Sequence, residues 1–398
     1  MALGTGARTQ LRYILETVFG STPVAGNPSN LRRSDDSLGF RTQTTMSQEI
    51  RSDRQTTDLI LVGASAEGGI NLEMSYAEYD PLLEAVLQGT WGVYGTNGVS
   101  TVFVGTFTTS KITAGTAPTG GSAFTSLAQG QWFRLNAPGH ANDGLVLQVS
   151  KTVAPTATEI TVEGTPLTTG TSIAGCTISA SRLSNGTTQR SFSIEREHAD
   201  IGQFLNFRGM TASRLQLSLQ SGAIVTGTLD FMGKDQVIAA ATALPGTPVA
   251  SKTYDVMNAV TGVGDIQENG AAIAGTFIKS LSLSVDNKLR GRDAIGVLGN
   301  VDIGSGSLEI TGNMSVYFAN ATLYNKFLNS TRSSLSFRMT DANKNGYVVT
   351  LPSVKFSEAN IQAGNKDSDS MVEMTYTALM DPTLLKTIFI DRFGAALT

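Results

Sequence analysis

RLQLSLQSGAIVTGTLDFM, residues 214–232, decides the fold. Leu215, Leu217 and Leu219 alternate with Gln216, Ser218 and Gln220. A two-residue period puts the leucines on one face of a β-strand and the polar groups on the other, so the strand packs one side and wets the other. The same rhythm runs through Ile70/Leu72/Met74 against Asn71/Glu73/Ser75 and through Leu281/Leu283/Val285 against Ser280/Ser282/Ser284. It returns in Leu308/Ile310 against Glu309/Thr311 and in Val372/Met374/Tyr376 against Glu373/Thr375/Thr377. Helical spacing is confined to Ala77–Leu87 and Asn320–Leu328, and Thr9–Phe19 admits a helix as well. The chain therefore reads as mainly β.

Composition narrows the function. The 398 residues are 40% hydrophobic, enough for a substantial core. Charges of 29 Lys+Arg and 33 Asp+Glu give a net of −4 with no basic run, which disfavours tight nucleic-acid binding. One cysteine, Cys176, excludes an internal disulfide and reads as a small buried apolar residue. Two histidines, His140 and His198, leave little material for metal or His-centred catalysis, and no cofactor is expected. Met1–Gln10 lacks an apolar core of the signal-peptide kind, so the expectation is a soluble protein made in the cytoplasm.

The motifs that carry chemistry elsewhere dissolve on inspection. Asp341-Ala-Asn343-Lys-Asn345-Gly346 begins like a calcium loop, but Pro352 stands where a bidentate Glu is required, so a hairpin turn is expected. Gly227–Lys234 has five residues between its glycines and no Ser/Thr after the lysine, and reads as a strand and its exit rather than a phosphate loop. No catalytic residue is assigned.

Element order repeats. An alternating strand ending at Ser75, the helix 77–87, then RSFSIE (190–195), 214–220 and 224–232 match an alternating strand ending near Tyr317, the helix 320–328, LSFRMTD (335–341), 354–361 and 371–378. This divides the chain into an N-terminal arm and loop (1–67), a first β-domain (68–92 and 185–243), an inserted β-domain (93–184), a connector (244–275) and a second β-domain (276–398). Strands are expected in the insert at Trp132–Leu135, Leu145–Ser150 and Glu159–Val162, with a tight turn at Asn142-Asp143-Gly144.

LRYILETVFGSTP (11–23), the stretch 31–60, GGINLEMSYAEYDPLLEAVLQGTW (68–91), RSFSIERE (190–197), 207–235, 294–318 and DSDSMVEMTYTALMDP (367–382) together resemble the tail tube proteins of long-tailed, siphovirus-type bacteriophages. The resemblance implies β-sandwich tube domains with a flanking helix, assembled in the host cytoplasm into stacked rings of the virion tail. Their bore would pass double-stranded DNA, with a tape-measure protein and tail initiator and terminator proteins as partners. If each domain donates four strands, six domains close a barrel of twenty-four. At about 4.8 Å per strand and a tilt up to roughly 45°, the bore is about 25–40 Å after side chains, against roughly 20 Å for a duplex. Two domains per chain predict a homotrimeric, pseudo-sixfold ring, with a hexamer as the alternative.

Wet-face candidates for the channel are Asn71, Glu73, Gln216, Ser218, Thr228, Asp230, Glu309, Thr311, Glu373 and Thr375, with the outer sheet face as the competing assignment for about half. Candidates for contact between rings are Arg32, Arg33, Asp35, Asp36, Arg51, Asp53 and Arg54. The insert is expected to project outward. A surface-exposed, adhesin-like or carbohydrate-binding β-protein is the alternative reading.

Overall fold

The computed structural model describes residues 3–164, 166–260, 263–268, 271–272 and 277–394. The alternating segments pair as antiparallel strands because their period of two lets one face bury apolar side chains while the backbone hydrogen bonds run sideways. In the first half these are β1 (Thr9–Leu15), β2 (Asp35–Asp36), β3 (Gly39–Met46) and β4 (Leu59–Glu73), followed by α1 (Asp80–Leu87). The insert supplies β5 (Phe103–Phe107), β6 (Lys111–Ala114), β7 (Trp132–Asn136), β8 (Val146–Val149), β9 (Glu159–Glu163) and β10 (Gly170–Ser179). These six close into a small barrel around Phe107, Phe133, Leu147, Ile160 and Cys176, all of them buried. The three strands expected there lie within one or two residues of β7, β8 and β9.

After the barrel come β11 (Ser181–Ser184), β12 (Ser191–His198), β13 (Gln203–Gln220), β14 (Thr226–Gly233) and β15 (Asp235–Ala239). The second half holds β16 (Val263–Glu268), β17 (Ile278–Asp286), β18 (Glu309–Tyr317), α2 (Thr322–Leu328), β19 (Ser333–Thr340), β20 (Gly346–Gln362), β21 (Met371–Ala378) and β22 (Phe389–Phe393).

The two halves use one pairing scheme. β1 pairs β12, β12 pairs β13, β13 pairs β14 and β15, β14 pairs β4, and β4 pairs β2 and β3. Correspondingly β16 pairs β19, β19 pairs β20, β20 pairs β21 and β22, β21 pairs β18, and β18 pairs β17. Even the irregularities correspond. The long strand β13 slips register against β14 between Ala212 and Arg214, and β20 slips against β21 between Phe356 and Glu358. A bulge bends a strand, so β13 and β20 each leave one layer of their sandwich and enter the other.

The halves join where Arg214–Gln220 of β13 pairs with Ser280–Asp286 of β17. The result is one continuous amphipathic sheet in the order β3, β4, β14, β13, β17, β18, β21, β20, four strands from each half. Its dry face carries Ile70, Leu72, Leu215, Leu217, Leu281, Leu283, Ile310 and Met374 into a single core shared by both halves. Burying each such side chain contributes about 1.5–3 kcal/mol. Gly312 is required in this sheet, because a Cβ there would meet the Ser282 carbonyl oxygen at 2.1 Å, and Tyr376 uses the space to donate its hydroxyl to that oxygen at 2.7 Å.

Several expectations are corrected. Thr9–Phe19 is not a helix: β1 covers Thr9–Leu15 and pairs β12, burying Leu11, Tyr13 and Ile14. The first helix begins at Asp80 rather than Ala77, whose φ of +60° is incompatible with helix and after which Pro81 opens the first turn. Residues 39–67 form a long β3–β4 hairpin in place of irregular loop. The span expected as a connector contains β16, paired with β19, while 261–262, 269–270 and 273–275 lie outside the described residues. Asp341–Asn345 does form a turn, with the Asp341 carboxylate accepting from the Asn345 backbone N–H at 2.8 Å and its side-chain amide at 2.9 Å.

One buried ion pair joins β11, just past the barrel, to β22 of the second half, and a barrel N–H bonds to it. Arg182 on β11 donates Nε and Nη2 to the two oxygens of Asp391 on β22 at 2.7 and 2.8 Å, and the Trp132 N–H of β7 adds a third bond at 3.1 Å. Burial pushes the Asp391 carboxyl up, opposed by the Arg182 charge. Asp391→Ala strands the guanidinium, so chemical denaturation should show a loss of about 3–5 kcal/mol. The apolar pair Arg182→Met/Asp391→Leu should recover most of it; equal loss in both variants would mean the pair is not what holds this junction.

Candidate functional surface

All ten wet-face candidates lie on the polar side of the continuous sheet. Registers carry one row from Asn71 through Thr228, Gln216, Ser284 and Thr311 to Thr377. A second begins Glu73, Thr226, Ser218, Ser282, and Asn313 and Thr375 extend it across the next two strands. The side chains bond mainly to one another: Thr228 Oγ1 donates to Asn71 Oδ1 at 2.8 Å, Thr375 Oγ1 to Asn313 Oδ1 at 3.0 Å, and Ser315 Oγ to Glu373 Oε1 at 2.6 Å. Such pairs fix the short side chains flat and leave a smooth hydroxyl, amide and carboxylate surface.

Charges cluster in a third row. Arg214 lies 3.0 Å from Asp286, and Lys288 bridges Glu309 at 2.8 Å and Asp286 at 3.6 Å. Burial works against ionised Asp286, but the Lys288 N–H and the Arg214 and Lys288 charges outweigh it and hold the carboxyl below its usual range. Asp230, opposite Arg214, goes the other way: burial raises it, Arg214 opposes, and the Asp286 charge reinforces the rise.

The candidates for contact between rings divide. Arg32, Arg33 and Asp36 bond within the chain, and Asp35 is exposed. The Arg32 backbone N–H donates to the Glu78 carboxylate at 3.0 Å, and its Nη1 donates to the Tyr254 carbonyl at 2.7 Å. Arg33 pairs with Asp36 at 2.7 Å, Arg196 also pairs with Asp36, and Asp35 sits in β2 opposite Asn71. Arg51, Asp53 and Arg54 lie at the exposed tip of the β3–β4 hairpin, where Arg51 and Asp53 pair at 2.8 Å. Sequence reasoning missed the apolar character of this hairpin: Met46, Ile50 and Leu59–Val62 are all exposed. It also missed the corresponding loop between β17 and β18, in which Ile295, Val297 and Leu298 are exposed and Asn300 is anchored by its amide donating to the Gly233 carbonyl at 2.9 Å. Runs of apolar residues beside the alternating strands were the available signal.

Among the described residues, no group of three or more His, Cys, Asp and Glu side chains is arranged to hold a metal ion, and no helix is long and apolar enough to cross a membrane. A polar sheet face, exposed strand edges and exposed hairpins characterise a mainly β protein. The family model described as phage tail tube protein matches residues 6–378, and the chain belongs to that family. No curated protein matches it. Membership makes it a structural tail tube subunit and places it in the virion tail.

The raised Asp230 carboxyl yields a signed expectation. An acid whose folded pKa lies above its unfolded value costs no stability while protonated in both states and costs it fully once ionised in both. Asp230→Asn should therefore melt at a higher temperature than wild type near neutral pH, with the gap closing as pH falls to about 4. A gap that stays constant with pH would contradict burial as the cause.

Proposed function

We propose that three chains close into a ring by joining their amphipathic sheets edge to edge, polar face inward, and that rings stack into a tube through which double-stranded DNA passes. The observation that carries this is the four-plus-four strand count of the continuous sheet, because three such chains supply twenty-four strands. By strand spacing and tilt, that number encloses a bore of about 25–40 Å. A hexamer of eight-stranded chains would double the circumference and leave a duplex loosely held. Tape-measure, initiator and terminator proteins are the expected partners, and no enzymatic step is part of this reading.

The ten wet-face residues then line the channel. Their polar and mildly acidic character suits passage, since every Lys or Arg on a phosphate adds salt-dependent affinity. Glu73→Lys/Glu309→Lys/Glu373→Lys should leave tubes intact but retain duplex DNA at low salt and release it as salt rises, measured by co-sedimentation of tubes with DNA; no retention would argue that these residues face away from the bore.

The hairpin tip, residues 47–58, is the proposed reach between rings. A two-stranded ribbon with exposed apolar residues is marginal alone and gains stability when covered. The Ser47 N–H donates to the Asp58 carbonyl at 3.0 Å, so a short turn replacing 49–56 keeps the hairpin closed. That variant should keep its circular dichroism and melting temperature and make rings but no tubes in negative-stain micrographs. Tubes of normal length would refute the role. The arm at 21–38, committed to Glu78, Tyr254, Thr9 and Arg196, stays with its own subunit in this account.

A further inference from the structure

The internal seam between the halves predicts the seam between subunits, residue by residue. At the internal seam Arg214 of β13 stands opposite Asp286 of β17, Gln216 opposite Ser284 and Ser218 opposite Ser282. Each of these residues has a counterpart in the other half, fixed by the shared pairing scheme. Arg214 pairs Asp230, which pairs Gly69; Glu358 pairs Thr375, which pairs Asn313. Glu358, Asn360 and Gln362 of β20 therefore correspond to Arg214, Gln216 and Ser218. On the other strand, Gly39 and Arg41 of β3 pair Glu67 and Ser65 as Ser284 and Asp286 pair Thr311 and Glu309. Ser37, whose N–H donates to Gly69, corresponds to Ser282.

Among the described residues, 357–362 of β20 pair only with β21, and β2 and β3 pair only with β4. A free strand edge is a template for another strand. Resting on the ring reading, we infer that β20 of one subunit adds antiparallel to β2–β3 of a second copy of this chain, with Glu358 opposite Arg41, Asn360 opposite Gly39 and Gln362 opposite Ser37.

Two independent observations fit this register. First, the charges complement: the internal seam has Arg214 facing Asp286 at 3.0 Å, and the proposed seam has Glu358 facing Arg41 with the signs exchanged. Arg41 is 77% exposed, held only on its own strand pair by Glu67 at 2.5 Å, and is free to share its guanidinium across the seam. Second, the dry face is open at these two edges. Leu217 and Val285 of the internal seam are 3% and 0% exposed, whereas their counterparts Ile361 and Phe40 are 37% and 39% exposed. Joining the edges buries Phe40 beside Ala359 and Ile361 as Val285 is buried beside Leu215 and Leu217.

The test is a charge exchange read in assembly. Wild type, Arg41→Glu, Glu358→Arg and the double variant are compared by sedimentation and negative-stain microscopy, with circular dichroism confirming the fold of each. Each single reversal should raise the protein concentration needed for rings at least about tenfold, and the double variant should return most of that. Gly39→Cys/Asn360→Cys should form disulfide-linked oligomers ending at a closed trimer under mild oxidation, since the native Cys176 is buried in the barrel. Arg41→Cys/Gln362→Cys, four residues out of register, should not. Wild type that forms no rings overturns the ring reading and the seam together. Rings from wild type, combined with unaffected single variants or no cross-link at 39/360, overturn the seam alone.

Discussion

The antiparallel ladder between Arg214–Gln220 and Ser280–Asp286 is the constraint on which the rest of the molecule depends. Without it each half would be a sandwich with a raw edge and an apolar face open along one side. With it, Leu215, Leu217 and Leu219 meet Leu281, Leu283 and Val285 across the seam, and the two cores become one. The ladder also explains the unusual length of β13, at 18 residues, and of β20, at 17. Each must serve a sandwich layer with its first part and the continuous sheet with its last, and the bulges at Ala212–Arg214 and Phe356–Glu358 make the turn between layers.

What was legible in the sequence follows from what a strand's own residues record. Alternation reports a packed face and a wet face, so β13, β14, β17, β18 and β21 could be read directly, and with them the polar-side placement of the ten candidates. The strand β3 and the first part of β4 escaped because Phe40–Met46 and Leu59–Val62 are exposed on both faces, which removes the alternation that burial imposes. β1 was ambiguous because Leu11, Tyr13 and Ile14 satisfy either a helical stripe or a strand, and only its seven-residue ladder with β12 decides between them. Edges were invisible for a different reason: whether a strand has a neighbour is a property of the assembly of strands, and no local pattern encodes it.

Electrostatics separate anchoring from display. Asp36 sits between Arg33 and Arg196, nearly buried, and Arg196 also donates to the Leu38 carbonyl at 2.9 Å. These bonds hold the β2–β3 edge against the first half. At the hairpin tip, by contrast, Arg51 and Asp53 pair in solvent, where screening leaves an ion pair little stabilising effect. A rigid edge and a loose tip suit two different contacts, lateral closure in which strand register matters and axial stacking in which a ribbon can adapt.

The exchanged charges at the internal and proposed seams bear on how a chain of two similarly paired halves avoids joining itself incorrectly. A β20 edge could in principle meet the β17 strand of another chain, and a β13 edge could meet a foreign β3, since the strands are structurally equivalent. In the proposed register the first mistake places Glu358 against Asp286 and the second places Arg214 against Arg41. Like charges directly opposite on neighbouring strands destabilise the pair, whereas both correct seams bring opposite charges together. Had Arg stood on β20 and Asp on β3, correct and incorrect joints would be equally favourable at this position, and an exchange of halves between chains would go unopposed. In the proposed ring, the reversed pair of signs favours an alternating order of halves.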